Sequence, residues 1–293
     1  MKRIEIMGNN GDPLVGYIFK EVAEPKAVVQ IIHGMQEHGK RYEHFARYLN
    51  SKGYIVFVSD LRGHGETVRD VSLQGHFDGD IYEEILKDQI IISNTLSQMF
   101  ELPLYVLGHS FGSFITQRYM TECHVADKIV LSGSAYSKNA GFIFGNIIAK
   151  LSCALVGKTK TAKLIEKVSF GSYGKKFPNG NWLTHDDEIF KAYVNDPYCG
   201  KPFPYSFYRS FFGGALKNYN KIDNIRPDTK ILILSGDEDP VGGKGKLVSK
   251  LYDVYKDIGY DVECKLYPGG RHEMLNETYK EEVYDYIIDF FEK

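Results

Sequence analysis

Val106–Phe114 reads "VLGHSFGSF", with Ser110 between Gly108 and Gly112. A Gly-x-Ser-x-Gly pattern recurs by chance in unrelated chains, so its meaning depends on what flanks it. Here "PLYVL" precedes it as an apolar strand candidate, and "FITQRYM" (Phe114–Met120) continues at helical spacing. A sharp strand-to-helix turn of this kind lifts a serine hydroxyl above a sheet, where it can attack. The two glycines fit positions where a side chain would strike neighbouring backbone.

Outward from this turn, apolar runs of strand length alternate with amphipathic runs of helix length. Ala27–His33, Tyr54–Asp60, Leu104–Gly108, Lys128–Ser134, Lys230–Gly236 and Asp261–Pro268 read as strands. His44–Gly53, Ile81–Phe100, Gly245–Gly259 and a last run from Glu277 to Phe291 have helical spacing. The alternation predicts an α/β fold, a mainly parallel central sheet flanked by helices. It breaks at Ala135 and resumes after Arg226. We therefore expect a core of residues 1–134 and 227–293, with 135–226 inserted as a mostly helical cap over the crevice where such sheets bind ligands.

The composition of the 293-residue chain is that of an ordinary folded domain, 43% hydrophobic and 25% charged. A net charge of −2 gives no global reason to bind nucleic acid. Lys2 and Arg3 are followed by Glu5, Asn and Gly where a secretory signal needs an apolar run, so a cytoplasmic location is expected. Cys123, Cys153, Cys199 and Cys264 have no metal-binding spacing and read as reduced thiols, with no metal and no cofactor expected. The apolar stretch Phe142–Val156, interrupted by Asn146 and Lys150 and followed by lysines, fits either a transient membrane-surface contact or a buried helix beside a solvated lysine face. We take the second reading.

A serine hydroxyl is a poor nucleophile at neutral pH and needs a histidine base oriented by an acid. After the strand at 230–235 comes "GDEDPVGG", which offers Asp237 and Asp239, with Glu238 a weaker candidate. After the strand ending near Pro268 comes "GGRHEML", which presents His272. The order serine, acid, histidine and the position of each after a strand make Ser110 and His272 the candidate nucleophile and base. His33, His38 and His64 belong to loops. His44, His76, His109, His124 and His185 show no partner in the sequence.

These residues resemble the serine hydrolases of the α/β-hydrolase fold, within the monoacylglycerol lipase and bacterial lysophospholipase group. Four blocks carry the resemblance: "HGMQEHGKRY" (33–42), "DLRGHG" (60–65), "GHSFGS" (108–113), and "SGDEDPV" paired with "YPGGRHEMLNE". It implies Asp239 as the acid, with Asp237 a turn residue. It also implies an oxyanion hole made by the backbone N–H groups of Met35 and Phe111. The segment "NWLTHDDEIFKAYVNDPYCG" (181–200) is similar to bacterial relatives described as lysophospholipases or serine aminopeptidases. The implied chemistry is two-step acyl transfer on a small acyl ester or lipid, without metal or organic cofactor.

For the acyl pocket the candidates are Phe203, Phe207 and Phe211, in a run with Tyr205, Tyr208 and Phe212 whose rings serve equally well to pack the cap on the body. A prolyl-type aminopeptidase is the alternative enzyme and would need cap acids, for which Asp186, Asp187, Glu188 and Asp196 are the candidates. A catalytically idle binding protein is the alternative of another class, and the presence of all three triad residues speaks against it.

Overall fold

A computed structural model describes residues 1–293, apart from the side chain of Phe170. Eight strands form one sheet: β1 (Lys2–Met7), β2 (Pro13–Phe19), β3 (Ala27–Ile32), β4 (Tyr54–Ser59), β5 (Leu104–His109), β6 (Ala126–Ser132), β7 (Lys230–Gly236) and β8 (Val262–Tyr267). Their order is β1-β2-β4-β3-β5-β6-β7-β8. From β4 to β8 every pairing is parallel, while β1–β2 and β2–β4 are antiparallel. The expectation of a mainly parallel sheet flanked by helices holds. The antiparallel β1–β2 pair lies outside the alternation read from the sequence.

β3 and β4 are buried along their whole length, as strands covered by helices on both faces must be. Gln30 is the polar exception in β3, and it is satisfied by Gln89 and Ser93 on the helix that covers it. That helix, α2 (Ile81–Phe100), starts where the Asp80 carboxylate accepts the Tyr82 and Glu83 N–H groups. α1 (Glu43–Ser51) buries Phe45, Ala46 and Leu49 on one stripe. α3 (Phe111–Tyr119) follows β5 directly.

Between β6 and β7 lie α4 (Ala140–Ser152), α5 (Lys163–Val168), α6 (Phe170–Gly174), α7 (Asp187–Asn195) and α8 (Tyr205–Ala215). α9 (Lys246–Ile258) and α10 (Lys280–Glu292) complete the core. α8 is packed on α3 through Phe207 and Phe211 and approaches α2 where Gly214 meets the Tyr82 ring.

The expectation of a buried helix around Phe142–Val156 is corrected. α4 runs on through a π turn at Cys153–Gly157, and only 11% of the Ala140–Gly157 window is buried. By length and apolarity it is the one described helix that matches a membrane span. Leu155 is 83% and Phe144 63% exposed, with Ile147, Leu151 and Val156 also out. The helix packs on α8 through a narrow face that includes Phe142 and spends the rest of its apolar surface on solvent.

Candidate active site

Every candidate residue of the triad emerges at a carboxyl end of the parallel strands. β5 ends at His109, and Ser110 follows at φ 51°, ψ −120°, a strained conformation that turns the chain straight into α3. The turn is possible because both glycines lack a side chain. A Cβ on Gly108 would stand 2.3 Å from Thr116 Oγ1, and one on Gly112 would stand 2.1 Å from the Ile32 carbonyl. The Ser110 N–H is held by the Ser132 carbonyl at 2.9 Å, and the Ser110 carbonyl accepts the Ser113 N–H at 2.8 Å.

Asp239 follows β7 and is fully buried. Its Oδ1 accepts the Val241 N–H at 2.8 Å, and its Oδ2 accepts the Ser235 hydroxyl at 3.1 Å and meets His272 Nδ1 at 2.9 Å. Because an ionised carboxylate only accepts, His272 carries its proton on Nδ1 and leaves Nε2 free to accept. Nε2 lies 2.8 Å from Ser110 Oγ. Asp237, by contrast, is exposed and accepts the Gly269 N–H at 2.7 Å, the turn role expected of it.

Burial opposes charge on His272, but the Asp239 carboxylate and its hydrogen bond outweigh that, and the imidazole pKa is raised. Burial also disfavours the Asp239 anion, and the His272 charge and hydrogen bond overcome it, so the Asp239 pKa is lowered. The arrangement leaves Nε2 as the nitrogen that faces the Ser110 hydroxyl.

Met35 lies in the loop after β3, and Phe111 opens α3, where the first N–H groups have no helical acceptor. Among the described residues no acceptor takes the Met35 N–H. Two cavities meet at Ser110 and Met35. One, of about 450 Å³, is mixed: Gln36, Glu37, His109, Glu166, Lys201, His272 and Glu273 line it together with Trp182, Leu183, Phe190, Tyr193 and Val194. The other, of about 90 Å³, is lined by Phe111, Phe114, Phe142, Tyr208, Phe211, Phe212 and Val241.

Of the predicted acyl-pocket residues, Phe211 lines this apolar cavity. Phe203 and Phe207 do not, and that reading is corrected: both are fully buried and pack on His64, with Phe207 also on Phe111. They fasten the inserted segment to the body. The cap acids also lie elsewhere. Asp186 caps α7, Asp187 and Glu188 sit in its first turn, and Asp196 pairs with His38 at 2.9 Å.

A family model described as serine aminopeptidase S33 matches residues 23–279. The chain belongs to that family. Among its relatives, a monoacylglycerol lipase of Mycolicibacterium smegmatis is 29% identical over 97% of this chain and 94% of that protein. Phospholipase YtpA of Bacillus subtilis is 33% identical over 89% of this chain and 93% of its own length. A carboxyl esterase structure from Bacillus coagulans superposes with a TM-score of 0.90 at 24% identity, covering 99% of this chain and 97% of that one. A monoglyceride lipase structure from Saccharomyces cerevisiae gives 0.78 at 20% identity, over 99% and 94%. At these identities the two structures speak for the α/β-hydrolase fold.

Several residues in or near the site escaped the sequence reading. His109 lies beside His272 with ring centroids 5.0 Å apart and the rings tilted by 48°, and burial lowers its pKa to about 4. Glu166 of α5 lines the larger cavity and accepts from Gln36 and Tyr208, and burial raises its pKa. His185, for which the sequence offered no partner, meets Glu277 at 3.1 Å. Trp182 lies 5.0 Å from the His272 ring, and its carbonyl and that of Leu183 accept the His272 and Glu273 N–H groups. The inserted segment thus props the histidine loop.

One group among the described residues could hold a cation: His38, Asp196 and Cys199, whose ligand atoms lie within 4.8 Å of one another. The sequence reading found no such set because His38 and Asp196 are 158 positions apart.

Proposed function

We propose that this protein is a carboxylic ester hydrolase that cleaves monoacylglycerols through an acyl-enzyme on Ser110. The observation that carries the reading is the position of Ser110 at the junction of a small apolar cavity and a larger one of mixed lining, with an imidazole nitrogen 2.8 Å from its hydroxyl. The apolar branch suits an acyl chain, and the carboxylates, Gln36 and Lys201 of the mixed branch suit a small polyhydroxy alcohol. Relatives named monoacylglycerol lipase and carboxyl esterase agree with it.

In the first step His272 Nε2 takes the Ser110 proton as Oγ bonds to the ester carbonyl carbon. The Met35 and Phe111 N–H groups bind the resulting oxyanion, and Asp239 stabilises the imidazolium. The alcohol then leaves with the proton from Nε2. Water enters, gives a proton to Nε2 and attacks the acyl carbon, and collapse releases the fatty acid and returns the proton to Ser110.

The aminopeptidase reading has the family's description in its favour, but none of the cap acids Asp186, Asp187, Glu188 and Asp196 lines the cavity; of the acids that do, Glu37 and Glu273 are already paired by Arg41, and Glu166 accepts from Gln36 and Tyr208. The exposed apolar face of α4, with Lys150 and Lys158 near its end, supports a reversible contact with a lipid surface. Four free cysteines agree with a reducing, cytoplasmic setting.

The test is hydrolysis of a monoacylglycerol chain-length series, with Ser110→Ala and an aminoacyl arylamide as controls. The expected result is a Ser110-dependent rate with an optimum in chain length. Equal, negligible rates for the two proteins on every acylglycerol, with turnover of the arylamide, would replace this reading by the peptidase one.

A further inference from the structure

A backbone N–H points where its peptide plane points, so the Met35 donor is only as well aimed as the turn that carries it. The Gly34–Met35 peptide is held at its carbonyl, which meets His33 Nδ1 at 2.8 Å. His33 Nε2 accepts the Leu61 N–H at 2.9 Å, so the ring is neutral and donates from Nδ1. Burial agrees, lowering the His33 pKa to about 3. The preceding peptide is held at its N–H: Gly34 donates to Glu37 Oε1 at 2.5 Å. Between them Gln36 stands at φ 58°, a region that a non-glycine residue occupies only when its surroundings hold it there.

Glu37 is buried, and a lone buried carboxylate would give up its charge. Arg41, one turn on, prevents that. It pairs with Glu37 and, at 2.9 and 2.7 Å, with both oxygens of Glu273, the residue next to His272. Tyr42 also donates to Glu37 Oε1 at 2.8 Å. Burial pushes both acids up, Arg41 overrides it, and both end below the usual carboxylate range. One guanidinium therefore fastens the Met35 turn to the His272 loop.

We propose that Glu37 is a positioning residue for the reaction: by gripping the Gly34 N–H with a carboxylate that Arg41 fixes, it sets the direction in which the Met35 N–H meets the oxyanion. The inference rests on the esterase reading above. Because Glu37 also lines the larger cavity, the rival role is binding of the alcohol, and the two roles separate in the kinetics.

The experiment compares Glu37→Ala, Glu37→Gln and Glu37→Asp by kcat and KM on a soluble short-chain ester. It adds Kd for an alkyl trifluoromethyl ketone, whose hemiketal with Ser110 mimics the tetrahedral intermediate, and melting temperature as a check of folding. Glu37→Ala is expected to lower kcat and ketone affinity by the same factor, about 10- to 100-fold, as loss of a supporting residue does. KM should stay within about threefold, since the lost contact acts only in the transition state. Glu37→Gln keeps an acceptor oxygen at the same reach and should recover most of the loss. Glu37→Asp keeps the charge but is one methylene short and should not. A folded Glu37→Ala with unchanged kcat and ketone affinity overturns the proposal. So does a rise in KM alone, or recovery by Asp and not by Gln. If the wild type itself neither turns over the ester nor binds the ketone, the esterase reading falls first and the proposal falls with it.

Discussion

Gly112→Ala tests whether the spacing of the nucleophile turn sets the oxyanion hole. The new Cβ would stand 2.1 Å from the Ile32 carbonyl oxygen and 2.5 Å from that of His33, where ordinary contact begins at 3.4 Å. The start of α3 and the end of β3 must therefore separate by about 3.4 − 2.1 = 1.3 Å. These two segments carry the Phe111 and Met35 N–H groups. Donors act at about 2.7–3.1 Å from an oxyanion, so a shift of this size removes at least one of them, and losing one costs about 10²–10³-fold in kcat. Overpacking should also destabilise the protein by about 1–3 kcal/mol. The assay is kcat on a soluble ester beside urea-derived stability. Gly171→Ala serves as control, since its Cβ would meet only the Glu166 carbonyl at an ordinary 3.5 Å. A folded Gly112→Ala with wild-type kcat would refute the argument that this glycine holds the two donors at working distance.

Further expectations concern the acid, the buried histidines and the exposed helix. Asp239→Asn should lower kcat by about 10⁴-fold by reversing the His272 tautomer. In the wild type the raised His272 pKa places the acid limb of kcat/KM above pH 6.5, and the pH–rate profile of the residual activity should show that limb moved down in the variant. Burial lowers the pKa values of His33 and His64 to about 3 and of His109 to about 4, so the unfolded chain takes protons first as pH falls below 6.5. Stability should then drop by about 1.4 kcal/mol per pH unit for each histidine. His272 adds nothing there, since its raised pKa keeps it protonated in both states below 6.5. Burial lowers the His44 pKa as well, so His64→Phe should flatten the measured slope by about a quarter to a third. Leu151→Glu with Leu155→Glu should weaken binding to phospholipid vesicles by about tenfold per residue, from the lost burial of a leucine. The rate on a soluble ester should not change, and undiminished vesicle binding would sink the membrane reading.

The parallel strands were legible because burial on both faces writes them as unbroken apolar runs, as in "AVVQII". The edge strand β1 was not, because with one wet face "KRIEIM" carries a weaker pattern. Ser110 and His272 could be read from their turns, but the choice of Asp239 over Asp237 needed a resemblance. Only geometry shows why: the side chain of one points inward to His272, while the other tends a surface turn. Phe207 and Phe211, four apart on α8, share a face and a residue type, yet one packs the core and the other lines a cavity. No sequence pattern distinguishes those fates. The α4 reading failed for a related reason, since apolar spacing marks a helix face without stating what covers it. Glu37 and Arg41 stood in a block quoted for Met35, and their i,i+4 spacing was the signal that they form a pair.

The most direct measurement of the central claim is the mass of the protein during turnover of a monoacylglycerol, quenched in acid and followed by peptide mapping. The account expects one acyl group, of the mass of the substrate's fatty acid, on the peptide that holds Ser110, and none in Ser110→Ala. Hydrolysis that continues in Ser110→Ala, or an acyl group carried by another residue, would contradict it.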